Sequence, residues 1–211
     1  MKSLLVLNSS ARLARSHTRD LTRFFADGWL KAHPKGTVVH RDVGLSPVPS
    51  IDEAWIRAAF APDNGSVESG ALGPLALSNA LIAELDAADE VVIGAPIYNF
   101  GMPAALKAYI DQIVRAGVTF RIDASQANPY VPLLRDRPVT VIVSSGTPEM
   151  HPGGNMYSDN FLEGNLSRAL GFIGLADLRW IYVADDELPG TDTETFRNRA
   201  LVAIEERIRG R

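Results

Sequence analysis

Three hydroxyl side chains that follow the first apolar run are the first candidates for chemistry. Ser10, Ser16 and Thr18 flank a polar loop at the point where a helical pattern begins, near His17. A helix N-terminus presents unpaired N–H groups and the positive end of the helix dipole, which favours a phosphate there. The loop has neither G-x-G-x-x-G nor a P-loop lysine, which argues against a dinucleotide fingerprint or a nucleoside-triphosphate cradle. Alternatively, Ser16 serves only as the helix N-cap.

Two further loops follow apolar runs and have unusual compositions. Residues 96–103 include Tyr98, Asn99 and Phe100, and two aromatic rings beside an amide at a strand end could wall a flat heterocycle. The alternative is that both rings pack into the core. Residues 144–154 are rich in Ser, Gly and Pro, and such small residues let a backbone approach a ligand closely. An ordinary turn-rich connection has the same composition.

The composition excludes several kinds of site. The chain has no cysteine, which rules out disulfides, thiolate metal ligands and thiol catalysis. Its four histidines are scattered without helical i, i+4 spacing, so we predict no metal site. A net charge of −4 without a basic face argues against nucleic acid as a partner. The apolar run at residues 4–7 is shorter than a signal-peptide core of ~7–15 residues, so we expect a cytoplasmic protein without membrane attachment.

These loops need elements that bring them together, and the rest of the chain predicts such elements. Continuous apolar runs, which indicate strands covered on both faces, alternate with helical patterns. Strands are predicted at residues 4–7, 37–41, 91–95, 139–143 and 178–183. Helices are predicted at residues 17–33, 52–60, 75–87, 104–115, 158–171 and 193–209. Such alternation indicates right-handed βαβ units around a parallel sheet.

Five strands with helices on both faces predict a doubly wound α/β sheet of the flavodoxin-like order 2-1-3-4-5. Ligands of such sheets bind beyond the carboxyl ends of the strands at the switch point, where the three loops would meet. The length of 211 residues suits a single domain over residues 1–211. Two irregular excursions interrupt it at about 44–73 and 117–137, and residues 118–122 alternate like a strand or a hairpin arm.

Four segments resemble motifs of the FMN-dependent NADH-azoreductase and NAD(P)H:quinone oxidoreductase family. Residues 95–100 read A-P-I-Y-N-F and are similar to the family's A-P-M-Y-N-F motif, while residues 115–120 match its R-A-G-V-T-F. Residues 9–18 resemble its phosphate loop S-S…S-x-S, and residues 171–174 match its G-F-I-G. The matches run in order over nearly the whole chain.

This resemblance implies which residues hold a tightly bound FMN. The cofactor-binding residues would be Ser10, Ser16, His17, Thr18, Pro96, Ile97, Tyr98, Asn99, Phe100, Ser144, Ser145, Gly146 and Thr147. The first loop would hold the phosphate, and the second would line the isoalloxazine with the Asn99 N–H near N5. The third would follow the pyrimidine edge. Family members are homodimers with the flavin at the subunit interface, where Phe120 would wall the substrate site.

The sequence departs from the family pattern at several positions. Ile97 replaces a Met, residues 144–147 read S-S-G-T instead of S-R-G-G, and Ile122 stands where an aromatic is frequent. His151 lies later than the family's histidine in the same loop. FMN binding remains the expectation, and the range of acceptors is left open by these changes.

The resemblance implies two-electron reduction of quinones and azo compounds, with NADH or NADPH as the donor. Both substrates would use the same face of the flavin, which implies ping-pong kinetics through N5. His151 could donate a proton or hydrogen-bond a quinone oxygen, or it is simply a solvated loop residue. Two other classes stay open. A flavodoxin-type electron carrier would hold FMN without oxidising NAD(P)H, and a scaffold without flavin would be colourless. The mild charge and the two long excursions favour the enzyme over the carrier.

Overall fold

A computed structural model of the chain describes residues 1–61, 73–185 and 187–210. The strands are β1 (Ser3–Asn8), β2 (Thr37–Asp42), β3 (Glu90–Pro96), β4 (Phe120–Ile122), β5 (Tyr130–Pro132), β6 (Val139–Ser145) and β7 (Leu178–Ala184). The α-helices are α1 (His17–Ala32), α2 (Glu53–Ala59), α3 (Ala76–Ala87), α4 (Ala104–Ile113), α5 (Phe161–Ile173) and α6 (Thr193–Arg209). Within these ranges, none of the helices has the length and apolarity needed to cross a membrane.

The main sheet has five parallel strands in the order β2-β1-β3-β6-β7. Counted along the sheet, this is the order 2-1-3-4-5 that the sequence predicts, and that prediction is confirmed. The two short strands β4 and β5 pair with each other antiparallel outside this sheet, with Ile122 opposite Tyr130. The alternating pattern at residues 118–122 therefore marks one arm of a hairpin.

Helices cover both faces of the sheet because successive side chains of each strand point to opposite faces. In β1, Leu5 and Leu7 pack in a core shared with α3, α4 and α5, whereas Leu4 and Val6 pack in a second core with α1 and α6. The central strand β3 is buried along its whole length. A strand buried on both faces is expected to read as a continuous apolar run, which is why the sequence identifies these strands well.

The first irregular excursion contains a short helix at the predicted place. Asp52 caps α2 by accepting a hydrogen bond from the Trp55 N–H at 2.8 Å. The Trp55 indole then donates to Gln112 Oε1 on α4 at 2.9 Å, and Gln112 Nε2 donates to the Pro49 carbonyl at 3.1 Å. These bonds tie the excursion to α4. Residues 62–72 of the predicted excursion lie outside the described residues.

Two of the helix boundaries that differ from the sequence prediction have identifiable local causes. Helix α4 ends at Ile113 rather than at residue 115, because the Thr119 hydroxyl donates to the Ile113 carbonyl at 2.7 Å and accepts from the Arg115 N–H at 2.9 Å. Helix α5 begins at Phe161, preceded by a 3₁₀ turn, because Asn160 accepts the Glu163 N–H and caps the helix.

The amino ends of the strands are held by a buried arginine. Arg137 immediately precedes Pro138 and β6, and its guanidinium donates to the carbonyls of Leu85, Asp86 and Ala88 at 2.6–2.7 Å. These carbonyls end α3, where a helix leaves acceptors without intrahelical partners. Arg137 therefore joins the end of one helix to the start of a strand on the edge of the sheet opposite the three candidate loops.

Candidate functional site

An open cleft of about 830 Å³ lies at the carboxyl ends of β1, β3, β6 and β7. That volume lies within the range of small-molecule sites, about 300–1,000 Å³. Four loops form its walls, one after each of these strands. The lining residues are Ser10, Arg12, Ala14, Arg15, Ser16, His17, Pro96, Ile97, Tyr98, Asn99, Ser144, Ser145, Gly146, Asp185 and Glu187. The structure thus brings the three predicted loops together and adds a fourth.

The loop after β1 gathers hydroxyl groups at the N-terminus of α1. The Ser16 hydroxyl donates to Ser10 Oγ at 3.0 Å and lies 3.4 Å from Thr18 Oγ1. It also accepts the Arg19 N–H at 3.4 Å as the N-cap of the helix. Capping and a phosphate site are therefore compatible at Ser16. Ser10 and Ser16 line the cleft, whereas Thr18 lies buried behind them.

The loop after β3 makes a tight turn that exposes backbone donors. Tyr98 and Gly101 exchange N–H···O bonds of 2.9 and 3.1 Å across Asn99 and Phe100. Both central residues have positive φ, 47° and 69°, as a type I′ turn requires. Within the described chain, the N–H groups of Asn99 and Phe100 have no hydrogen-bond partner. Positive φ strains residues other than glycine, and such strain concentrates at functional sites.

Tyr98 connects the second loop to the first, whereas Phe100 is exposed and does not line the cleft. The Tyr98 hydroxyl accepts the Ala11 N–H at 3.2 Å. The Phe100 side chain remains about half exposed, although its carbonyl accepts the Phe161 N–H at 2.9 Å and anchors the turn to α5. The Phe100 ring is therefore not packed in the core, and it is not among the residues that line the cleft.

The loop after β6 contributes backbone and small side chains to the cleft. The Ile97 N–H donates to the Ser144 carbonyl at 2.7 Å, so the second and third loops continue the pairing of β3 with β6. A Cβ on Gly146 would lie 1.5 Å from Glu187 Oε2, so a side chain at this position would displace the Glu187 carboxylate. Thr147 follows without lining the cleft and caps the 3₁₀ turn Pro148–Met150.

His151 stands behind the cleft wall rather than in the cleft. Its Nε2 lies 2.8 Å from Ser145 Oγ, and its ring packs against Tyr182 and Phe196 with centroids 5.1 and 5.7 Å away. Burial lowers the pKa of His151 from 6.5 to about 4, so the ring is neutral at pH 7. Ser145 Oγ also lies 2.7 Å from the Thr147 carbonyl, so His151 and the loop backbone together hold this hydroxyl.

Sequence reasoning missed the acidic residues of the cleft, Asp185 and Glu187. Asp185 forms an ion pair with Arg12 at 3.1 Å, and its Oδ1 lies 3.3 Å from His17 Nε2. Glu187 reaches the third loop. Arg15 lines the same side with a positive φ of 56°. Asp185 and Glu187 directly follow the fifth strand of the sheet. Applying the strand-end rule to that strand would have found them.

The family-like segment at residues 115–120 has a structural role within the chain. Arg115 is buried and donates to Ser78 Oγ at 3.2 Å and to Asn79, and Thr119 closes the turn after α4. Phe120 packs on Phe172, with ring centroids 4.6 Å apart, in the last turn of α5. That turn leads to the amino end of β7, so Phe120 does not line the cleft of its own chain.

Comparison with known proteins gives a consistent result. A sequence model described as flavodoxin-like fold matches residues 2–208. The FMN-dependent NADH:quinone oxidoreductase of Opitutus terrae is 52% identical over 186 residues, covering 88% of this chain and 86% of that protein. The FMN-dependent NAD(P)H:quinone oxidoreductase 1 of Pseudomonas aeruginosa is 38% identical over 196 residues, covering 92% of each.

Solved structures show the same fold. An azoreductase from Bacillus anthracis strain Sterne has a TM-score of 0.86 and 22% identity over all of both chains. An FMN-dependent NADH-azoreductase from strain Ames Ancestor, solved in complex with FMN, has a TM-score of 0.84 and 21% identity, covering 100% of this chain and 99% of that one. On the sequence matches, the chain belongs to the flavodoxin-like family and, within it, to the FMN-dependent NAD(P)H:quinone oxidoreductases.

Proposed function

We propose that the chain is an FMN-dependent NAD(P)H oxidoreductase that reduces quinones and azo compounds, with FMN bound in the cleft. One observation carries this proposal. A hydroxyl-lined helix N-terminus and a turn with two unpartnered N–H groups border one cleft at the switch point of the sheet. The names of the relatives support the same cofactor and the same substrates.

The residues of the cleft fit FMN in chemistry and in size. Ser10 and Ser16, at the positive end of α1, offer hydroxyl groups to a phosphate, beside Arg12 and Arg15. The unpartnered N–H groups of the turn after β3 suit the acceptor atoms of a flat heterocycle. Gly146 leaves the opposite wall of the cleft without a projecting side chain, whereas a Cβ there would displace Glu187. These residues are the proposed cofactor site, together with Thr18 and Thr147 as supports.

When bound, FMN would supply the two-electron chemistry, with hydride transfer through N5. The protein binds the phosphate, orients the ring and leaves one face accessible. The cleft is open to solvent. Donor and acceptor would occupy that face in turn, which is the basis for proposing ping-pong kinetics.

His151 is proposed to act through Ser145 rather than as a proton donor. Burial lowers its pKa to about 4, so the ring is neutral at pH 7 and is a poor general acid, and its Nε2 contacts Ser145 instead of the cleft. We propose that an acceptor takes its protons from solvent, and that the protein works in the cytoplasm, where NAD(P)H is available.

We also propose a homodimer in which the partner completes the substrate site. Phe120 packs away from the cleft of its own chain. Its hairpin exposes three large apolar side chains, Ile122, Tyr130 and Leu133, at 43–65%. Exposed apolar groups on one hairpin favour contact with another protein surface. A second copy would cover this surface and would bring Phe120 towards a flavin bound in the facing subunit.

An absorption spectrum of the purified protein tests the proposed function. We expect a yellow protein that bleaches on anaerobic addition of NADH or NADPH and recovers its colour when a benzoquinone follows. A yellow protein that neither donor bleaches would indicate the flavodoxin-type carrier. A colourless protein that takes up no added FMN would contradict the cofactor assignment itself.

A further inference from the structure

We infer that Arg19 is a positioning residue that shapes the loop after β1 for phosphate binding, although it does not line the cleft. This inference rests on the proposed FMN site. Arg19 lies in the first turn of α1, and its side chain is mostly buried, with 16% exposed. It is absent from the residues that line the cleft, so it acts on the phosphate only through the loop.

The guanidinium of Arg19 joins three separate parts of the chain. It donates to the Ser10 carbonyl at 2.6 Å and to the Arg12 carbonyl at 2.8 Å. It also forms a two-pronged ion pair with Asp42, the last residue of β2. The planar fork of an arginine suits such a set of acceptors, and the single ammonium group of a lysine cannot reproduce it.

Because Arg19 holds these two carbonyls, the N–H group that follows each of them in the chain also has a fixed direction. In a planar trans peptide the C=O and the following N–H point in opposite directions. When Arg19 draws the carbonyls of Ser10 and Arg12 towards itself, the N–H groups of Ala11 and Leu13 point away from it. The Ala11 N–H indeed reaches the hydroxyl of Tyr98, a residue of the cleft wall. Arg19 thus keeps carbonyl oxygens, which repel an anion, on the outer side of the loop.

The end of β2 supports the other side of the same loop. The N–H groups of Val43 and Gly44 both donate to the Asn8 carbonyl, at 2.9 and 3.2 Å. A Cβ on Gly44 would lie 2.2 Å from the Ser10 carbonyl oxygen, so the two segments pack directly against each other. Asp42 is therefore attached to a rigid support. Burial raises the pKa of Asp42, but hydrogen bonds from Arg19 and the Leu45 N–H outweigh it and lower the pKa, so the pair stays ionised.

A second ion pair in the chain provides a matched control. Arg41 on β2 forms a two-pronged pair with Glu84 on α3, and both side chains are about as exposed as Asp42. Arg41 contacts neither the loop after β1 nor the cleft. Any general effect of losing a half-buried arginine–carboxylate pair should appear equally at both sites.

The test compares FMN with riboflavin, which has the same ring system without the phosphate. Dissociation constants of both would be measured by flavin-fluorescence quenching on the full chain freed of flavin. We expect Arg19→Gln to weaken FMN binding about 10- to 100-fold and riboflavin binding less than about threefold, since several charge-assisted hydrogen bonds shape only the phosphate loop. Arg19→Lys should show a smaller selective loss, and Arg41→Gln should leave the ratio of the two constants unchanged.

The outcomes separate this inference from the proposed function. A wild-type chain that binds neither flavin contradicts the proposed function. A wild-type chain that binds FMN, together with an Arg19→Gln chain that keeps the wild-type ratio or loses both flavins equally, overturns the role of Arg19. If Arg19→Gln does not fold, Asp42→Asn decides, because it weakens the anchor of Arg19 and keeps the side-chain shape. We expect a selective loss of about 3- to 10-fold for FMN, and an unchanged ratio would overturn the inference.

Discussion

At the amino edge of the sheet the buried Arg137 donates to backbone carbonyls, whereas at the carboxyl edge Arg12 and Arg15 line an open cleft. Arg137 is fully buried and donates to three carbonyls at the end of α3, but Arg12 is 64% exposed and pairs with Asp185 across the cleft. The same strands end in both regions. The difference indicates that Arg137 serves to hold the fold, whereas Arg12 and Arg15 remain accessible to a ligand in the cleft.

The backbone shows the same contrast. At the amino edge, Asp136 accepts the N–H groups of Arg137, Ala176 and Asp177, and these bonds outweigh burial and lower its pKa. At the carboxyl edge, the N–H groups of Asn99 and Phe100 have no partner within the described chain, in a turn with positive φ. Both residues are exposed, so these donors are accessible to solvent and to a ligand that binds in the cleft.

The largest expected effect is a loss of stability when Arg137, at the amino edge of the sheet, is replaced. Arg137→Met removes charged donors from three carbonyls, and we expect a loss of about 3–4 kcal/mol in the free energy of unfolding. Flavin affinity of the folded fraction should not change. Urea denaturation followed by circular dichroism measures this. Arg135→Met is the matched control, since Arg135 is 65% exposed in its pair with Asp89 and should contribute less than about 1 kcal/mol. Equal losses in both variants would contradict the assigned role.

The second-largest expected effect is a dependence of stability on pH that arises from His151, behind the cleft wall. The folded state holds His151 with a pKa of about 4, whereas the unfolded chain titrates near 6.5. As the pH falls from 6.5 to 4, the unfolded state binds a proton that the folded state does not, so stability falls. We expect this loss to reach about 2 kcal/mol in the wild type. It should be absent in His151→Gln, which can keep a hydrogen bond to Ser145.

Urea denaturation of both proteins at several pH values measures the difference, and the common titration of the carboxylates cancels in the comparison. If the two stability curves stay parallel between pH 6.5 and pH 4, the neutral buried state assigned to His151 is wrong.

The smallest expected effect comes from a substitution in the cleft itself. Gly146→Ala places a Cβ where Glu187 lies, but the Glu187 side chain is exposed and can move, so we expect stability to change by less than about 1 kcal/mol. FMN affinity should fall about tenfold, or about 1.4 kcal/mol, because the displaced carboxylate narrows the cleft. Flavin titration measures this. Gly164→Ala in α5 meets no neighbouring atom, so it should leave affinity unchanged and stabilise the helix. Unchanged FMN affinity in Gly146→Ala would contradict the placement of Gly146 and Glu187 in the wall of the FMN site.

The sequence predicts the fold and three of the four loops of the cleft for one physical reason. Strands buried on both faces give apolar runs, and the order of a doubly wound sheet determines which ends meet. Ser10, Tyr98 and Ser144 follow directly from that rule, and all three line the cleft. The loop after β7 obeys the same rule, and the acidic residues Asp185 and Glu187 could have been found by it.

Other features depend on contacts that one-dimensional patterns do not show. The burial of Arg137 and the hydrogen bonds from Arg19 to the loop after β1 depend on how the chain packs. In the sequence, both residues resemble ordinary surface arginines. His151 is in the predicted loop, but only the packing of Tyr182 and Phe196 around it determines its neutral state. Phe120 shows the limit most clearly, because its proposed role depends on a second copy of the chain.

Backbone hydrogen exchange with and without FMN tests the central claim most directly, namely that the carboxyl edge binds the flavin and the amino edge only supports the fold. We predict that FMN slows exchange in residues 9–16, 97–101 and 144–147, and leaves residues 85–89 and 135–138 unchanged. Protection confined to the amino edge, or spread equally over both edges, would contradict the account.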